Sequence, residues 1–252
     1  MEDRQIIIIG TGRSGTAYTA KLLRGFGLDI GHETMGSDGI SSWYLTDDTP
    51  SGHSPSWEDF SELDPIIGHQ LRDPLKAIPS LMTINKASWK FIRESSITSF
   101  WDKKILLRSM RHWLEWNQAA FEKAEFHWTL KGLRTEIKPI LNEAIPNLTH
   151  QKFVSGLELV EKPVNSSKTR VLNFRIAMQT SPVVFARRLR QAYFPLKLTR
   201  EKMRGVDHVL ADEIHQFFMD CKASIRLRAG LENYNTNYSS PNFQAREADT
   251  MR

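Results

Sequence analysis

IIIIGTGRSGT, residues Ile6 to Thr16, decides how the rest of the 252-residue chain is read. Four β-branched apolar residues in succession, closed by a glycine, leave neither face for water, which is the pattern of a strand buried inside a parallel sheet. Three glycines, a serine and two threonines then surround one cation, Arg13, and AYTAKLLRGF (Ala17–Phe26) repeats apolar residues at helical spacing. Strand, tight loop and helix in that order put a helix N-terminus, with free N–H groups and a positive dipole end, beside glycines that let an anion approach.

Working outward, LDIGH (Leu28–His32) reads as a second strand, and Glu33–Phe60, rich in glycine, serine and proline, as loops near a site. DPIIGHQ (Asp64–Gln70) is a third strand, and PLKAIPSLMTI resumes helical spacing despite Pro79. Ile105–Ala124 has the stripe of a long amphipathic helix, offering Leu106, Met110, Trp113, Leu114 and Phe121 to a core. FHWTLKGL (Phe126–Leu133) is a fourth strand and EIKPILNEAI (Glu136–Ile145) a helix. Alternating β and α segments predict an α/β domain with a parallel sheet and right-handed crossovers. Beyond Asn147 the pattern is helical, giving one domain over 1–232 and an extended or disordered tail over 233–252.

Composition narrows the class. Apolar residues make up 40%, enough for a substantial core, and the one cysteine, Cys221, excludes an internal disulfide framework. The expectation is a soluble cytoplasmic protein with neither signal peptide nor membrane anchor. Net charge is +5, with the excess gathered in FARRLRQAYFPLKLTREKMR: Arg187, Arg188, Arg190, Lys197, Arg200, Lys202 and Arg204. Such a run is a solvated helix face or an anion site. Nucleic acid is not expected, because no finger, RRM or helix-turn-helix pattern accompanies the charge.

Two stretches carry chemistry. Against the ATP-type loop G-x-x-x-x-G-K-[ST], Gly10, Gly15 and Thr16 fit, but no lysine precedes Thr16 and the cation lies earlier, at Arg13. A cation in mid-loop reaches a leaving-group oxygen instead of the position that lysine takes on β and γ phosphates. Farther on, HQLRDPLKAIPS sets Arg72 at the end of the third strand and Ser80 eight positions later (72 to 80), across a helix start. A guanidinium fork and a hydroxyl brought together grip a second phosphate. The bland alternatives are a local Arg72–Asp73 ion pair and a turn after Pro79. Two separate anion sites suggest a nucleotide phosphorylated at two places.

The strand and loop IIIIGTGRSGT, with RDPLKAIPS downstream, resemble the sulfotransferase family that uses 3′-phosphoadenosine-5′-phosphosulfate, and GHETMGSDGISSW is similar to the stretch after the second strand in bacterial members. The resemblance covers roughly Arg4 to Asn117. It implies a three-layer α/β/α P-loop-type fold with about four to five parallel strands and a helical C-terminal part. Thr11, Gly12, Arg13, Ser14, Gly15, Thr16 and Ala17 then hold the 5′-phosphosulfate, and Arg72 with Ser80 the 3′-phosphate. The C-terminal Arg-Lys-Gly motif of cytosolic animal members is absent, so Lys168 and Arg170, or the Arg187–Arg204 run, stand in for it.

Sulfuryl transfer to an alcohol or amine needs a base, donors for the leaving phosphate and in-line positioning, and it demands no metal. Glu33, directly after the second strand and twenty residues past Arg13 (13 to 33), is the first candidate base, as in several carbohydrate and tyrosyl members. His32 is the second, because its ordinary pKa suits the task. Asp38, Ser42 and Trp43 are candidate acceptor contacts, Trp43 as a sugar platform or as a ring buried to hold its loop. Trp89 can stack on adenine, and His69 and Gln70 lie near enough to support the nucleotide. The expected acceptor is a carbohydrate hydroxyl first, then a phenol or another alcohol. A small-molecule or nucleotide kinase and a noncatalytic polyanion binder are the competing readings, and oligomeric state is left open.

Overall fold

The computed structural model describes residues 4–52, 54–60, 62–99, 101–138, 141–142 and 198–228. At its centre lie five parallel strands, β1 (Ile6–Ile9), β2 (Ile30–His32), β3 (Gly39–Ser41), β4 (Ile66–Leu71) and β5 (Phe126–Thr129), in the order β2-β3-β1-β4-β5. β1 is central and buried on both faces, which is why its run of isoleucines does not alternate with polar residues. Its side chains divide between the faces as the pleat requires. Ile6 and Ile8 join Leu22, Leu23, Ile30 and Trp128 on one side, while Ile7 and Ile9 join Ile40, Leu45, Phe60 and Ala120 on the other.

Helix α1 (Thr16–Gly25) follows the first loop. α2 (Pro74–Leu81) starts after β4, with Pro74 in the first turn, and the Asp73 carboxylate accepts from Leu75 N at 2.9 Å. α3 (Lys86–Glu94) is capped by Asn85, whose Oδ1 accepts from Ser88 N. α4 (Ile105–Lys123) buries Met110, Trp113, Trp116 and Ala120, and a short α5 (Leu133–Glu136) follows β5. In the C-terminal part, α6 (Arg200–Arg204) leads to α7 (His208–Arg228), which packs Leu210, Ile214, Cys221 and Ile225 against α2 and α4. Helices therefore cover both faces of the sheet, and the fold is the three-layer α/β/α arrangement expected.

β3 lies inside the stretch read from sequence as loops only, and α3 is likewise an element the sequence pattern does not announce. β3 follows β2 after only six intervening residues, 33–38, far fewer than a parallel crossover usually needs. Glycine makes this possible: a Cβ on Gly31 would run into the Thr34 carbonyl, and one on Gly36 into the Asp29 carbonyl. The helix expected over Glu136–Ile145 begins earlier, at Leu133, and half of the expected span lies outside the described residues, as do all of 233–252 and most of the basic run. Among the described residues no helix is long and apolar enough to cross a membrane.

Candidate functional site

In an open parallel sheet the ligand crevice forms at the C-terminal strand ends, where neighbouring connections diverge. Here those connections diverge around β1, whose neighbours are β3 and β4. The loop after β1 turns through Gly10 (φ 151°), Arg13 (φ 69°) and Gly15 (φ 112°) into α1. At Gly15 a side chain would meet the Gln70 amide and Leu130, so only glycine fits this helix entrance. Ser14 N donates to Thr11 O at 3.1 Å, whereas the amides of Gly12, Gly15, Thr16 and Ala17 have no acceptor among the described residues. No acidic residue occupies the first turn of α1. The loop thus presents backbone donors and a positive helix end that no acidic side chain among the described residues satisfies.

Side chains brace this loop from three directions. Thr46 Oγ1 accepts from Gly10 N at 3.0 Å and donates to Gly10 O at 2.9 Å. Gln70 Nε2 donates to Ser14 O at 3.1 Å, and its Oε1 accepts from Thr19. Beneath, Gly12 rests over the Trp43 indole, the nearest ring carbon 3.5 Å from where a Cβ would stand. Ser14 Oγ is buried with no hydrogen-bond partner among the described residues.

The second anion motif meets the first directly. Arg13 Nε donates to Ser80 Oγ at 2.9 Å, and Arg72 Nη1 donates to the Arg13 carbonyl at 2.7 Å. Arg72, after β4, and Ser80, on α2, thus both contact Arg13, one at its carbonyl and the other at its guanidinium. The Asp73 carboxylate is engaged in capping α2.

On the other flank, Glu33 N donates to Ser41 O at 3.2 Å, extending the β2–β3 pairing by one residue. His32 Nε2 lies 3.3 Å from Thr16 Oγ1 and 3.9 Å from Glu33 Oε1, so the imidazole stands between the loop and the carboxylate. Burial lowers the His32 pKa, opposed by the Glu33 charge and assisted by Arg24, which keeps the ring neutral near pH 7. Arg13 and Glu33 are also the two non-glycine residues with positive φ among those described, at 69° and 59°. Such backbone is costly and concentrates at functional sites.

Other candidates lie elsewhere. Asp38 sits at the opposite, N-terminal end of β3, where its carbonyl accepts from Ile6 N and its carboxylate from Asp29 N. The structure thereby removes it from the acceptor side. Ser42 is buried and accepts from Ser54 Oγ. Trp43, only 6% exposed, packs on Tyr44, Phe91 and Trp116 as the floor of the loop, which corrects the sugar-platform reading. Trp89 is buried and stacks on the Arg108 guanidinium, 4.5 Å from its ring centre. Consecutive strand residues face opposite ways, so Gln70 reaches the loop while His69 turns to α4 and Asn117, 3.1 Å away. Arg200 and Arg204 pair with Asp212 across α6 and α7, and Lys168 and Arg170 lie outside the described residues.

Sequence reasoning missed Thr46, which braces the loop through Gly10. Thr46 is 36 residues from Gly10, inside an irregular stretch where no local pattern marks it. Among the described residues no group of three or more His, Cys, Asp or Glu is placed to hold a metal. No family model matches the chain, and a search of curated proteins finds no match.

Proposed function

We propose that this protein is a sulfotransferase that moves the sulfuryl group of 3′-phosphoadenosine-5′-phosphosulfate to a hydroxyl. One observation supports the reading above others: the Arg13–Ser80 and Arg13–Arg72 contacts join the glycine loop and the second anion motif into a single cradle. One bisphosphorylated adenosine spans such a cradle, its 5′ end on the loop amides of Gly12, Gly15, Thr16 and Ala17, its 3′-phosphate on Arg72 and Ser80.

In the reaction, the acceptor oxygen forms a bond to sulfur as the bond from sulfur to the 5′-phosphate oxygen breaks. The acceptor's proton passes to the Glu33 carboxylate. Charge released onto the departing phosphate is met by Arg13 and by the N-terminal amides of α1, donors held in place before the reaction begins. Thr46, Gln70 and Trp43 keep that geometry fixed. Neutral His32 hydrogen-bonds Thr16 and stands beside Glu33, filling the space between the loop and the base.

The test separates donor binding from transfer. Glu33→Gln keeps the thermal stabilisation given by adenosine 3′,5′-bisphosphate and loses sulfuryl transfer by about 10²–10⁴-fold, the usual yield of a positioned base. Mass spectrometry of an acceptor library after incubation with the donor reads the second quantity. Normal transfer by this variant removes Glu33 from the mechanism, and magnesium-dependent ATP turnover in place of sulfuryl transfer replaces the reading with a kinase.

A further inference from the structure

Gln70 is a fully buried polar side chain whose two ends are both engaged, and what they engage decides the direction of one loop peptide. It stands next to last in β4, where its Oε1 accepts from the Thr19 hydroxyl on α1 and its Nε2 donates to the Ser14 carbonyl at 3.1 Å. A carboxamide has one accepting end and one donating end, so the Thr19 bond fixes which of them meets Ser14. In a trans peptide the C=O and the following N–H point opposite ways. Holding the Ser14 carbonyl on Gln70 therefore turns the Gly15 N–H away from the buried side of the sheet, to the side where Thr16 and Ala17 open the N-terminus of α1.

Gly15 makes that control necessary. Its φ of 112° is one a side chain resists, and a Cβ would lie 2.8 Å from both Gln70 Nε2 and Leu130. Glycine fits, but turning the Ser14–Gly15 peptide over moves φ by about 180°, to a negative value that glycine adopts as readily. Backbone preference leaves both directions open, and in the second the loop offers an incoming anion the Ser14 oxygen in place of the Gly15 N–H. We propose that Gln70 is a positioning residue that sets the Ser14–Gly15 peptide in its anion-accepting direction. Resting on the sulfotransferase reading, the Gly15 N–H so aimed meets the 5′-phosphate of the donor. A side chain at position 70 that cannot donate loses that control.

The experiment is calorimetry of adenosine 3′,5′-bisphosphate, and of pyrophosphate as a probe without the nucleoside, on the full chain at pH 8 and pH 6. Gln70→Met keeps the length of the side chain but has no donor, and it weakens both ligands by about 10–100-fold, the contribution of one hydrogen bond to a charged group. Gln70→Glu adds a readout that packing alone does not move. As a carboxylate it only accepts, so binding at pH 8 falls at least as far. As a neutral acid, the form burial favours, it donates to Ser14 and accepts from Thr19 as the amide does, so at pH 6 its deficit against wild type shrinks by about tenfold or more. Wild-type affinity in Gln70→Met, or a Gln70→Glu deficit as large at pH 6 as at pH 8, overturns the assignment. Wild type that binds pyrophosphate but not the bisphosphate overturns the sulfotransferase reading, and the Gln70 comparison is then decided on pyrophosphate; wild type that binds neither overturns both.

Discussion

Glu33 holds a left-handed backbone, φ 59°, which an L side chain adopts at a cost of roughly 1–2 kcal/mol. Nothing in packing requires a glutamate there, since the side chain is 38% exposed and its backbone N–H would serve β3 equally from glycine. Glu33→Gly is therefore expected to unfold no earlier than wild type, and up to about 1 kcal/mol later, while sulfuryl transfer is lost. A urea titration beside a transfer assay reads both, and a marked loss of stability would show that Glu33 is structural. Legibility at this scale followed distance along the chain. Arg13, Ser14 and Thr16 were readable because loop and helix start are contiguous, and Arg72 with Ser80 because one strand end and one helix turn separate them. Thr46 was not, since it reaches Gly10 only after β3 folds back beside β1.

Elements show the same division. β1, β4, α1 and α4 were visible in sequence because each is long or apolar enough to impose its period. β3 is three residues, Gly39–Ser41, in a segment whose glycines read as punctuation. Those glycines serve close approach, not flexibility: Gly36 packs against the Asp29 carbonyl so that β2 and β3 are joined by six residues. Gly36→Ala should cost about 2–3 kcal/mol or more, because backbone has to move. Gly27→Ala is the control: its φ is +91° but nothing lies within 4 Å of the new methyl, so only backbone strain of about 1 kcal/mol is expected. Equal losses for the two variants would argue against a crossover limited by space. A misplaced β3 would also displace Thr46 and Glu33, so Gly36→Ala weakens the site as well as the fold.

At the scale of the whole molecule, three imidazoles among the described residues are deeply buried. Burial pushes His69 down to about 4 and His112 and His127 to about 3, with Asn117 partly offsetting the effect on His69, and His69 and Arg228 adding to it on His127. All three are neutral in the fold, whereas the unfolded chain protonates them near 6.5. Below that pH the unfolded state binds more protons, so stability is fully present above about 6.5 and is lost as pH falls toward 4 and 3. Each histidine contributes a slope approaching about 1.4 kcal/mol per pH unit within that window. Urea midpoints should be flat above pH 7 and fall steeply from pH 6 to 5. His112→Phe, which keeps a ring against Trp116, makes that fall shallower by removing one of the titrating imidazoles.

The account depends most on a shared cradle for two anions. Isothermal calorimetry of adenosine 3′,5′-bisphosphate against adenosine 5′-monophosphate, on wild type and on Arg72→Ala, measures it. Since a hydrogen bond to a charged group contributes about 1.5–3 kcal/mol, the bisphosphate should bind wild type about 10–100-fold more tightly than the monophosphate, and Arg72→Ala should erase most of that advantage. Equal affinity for the two nucleotides, or an advantage that survives Arg72→Ala, would contradict it.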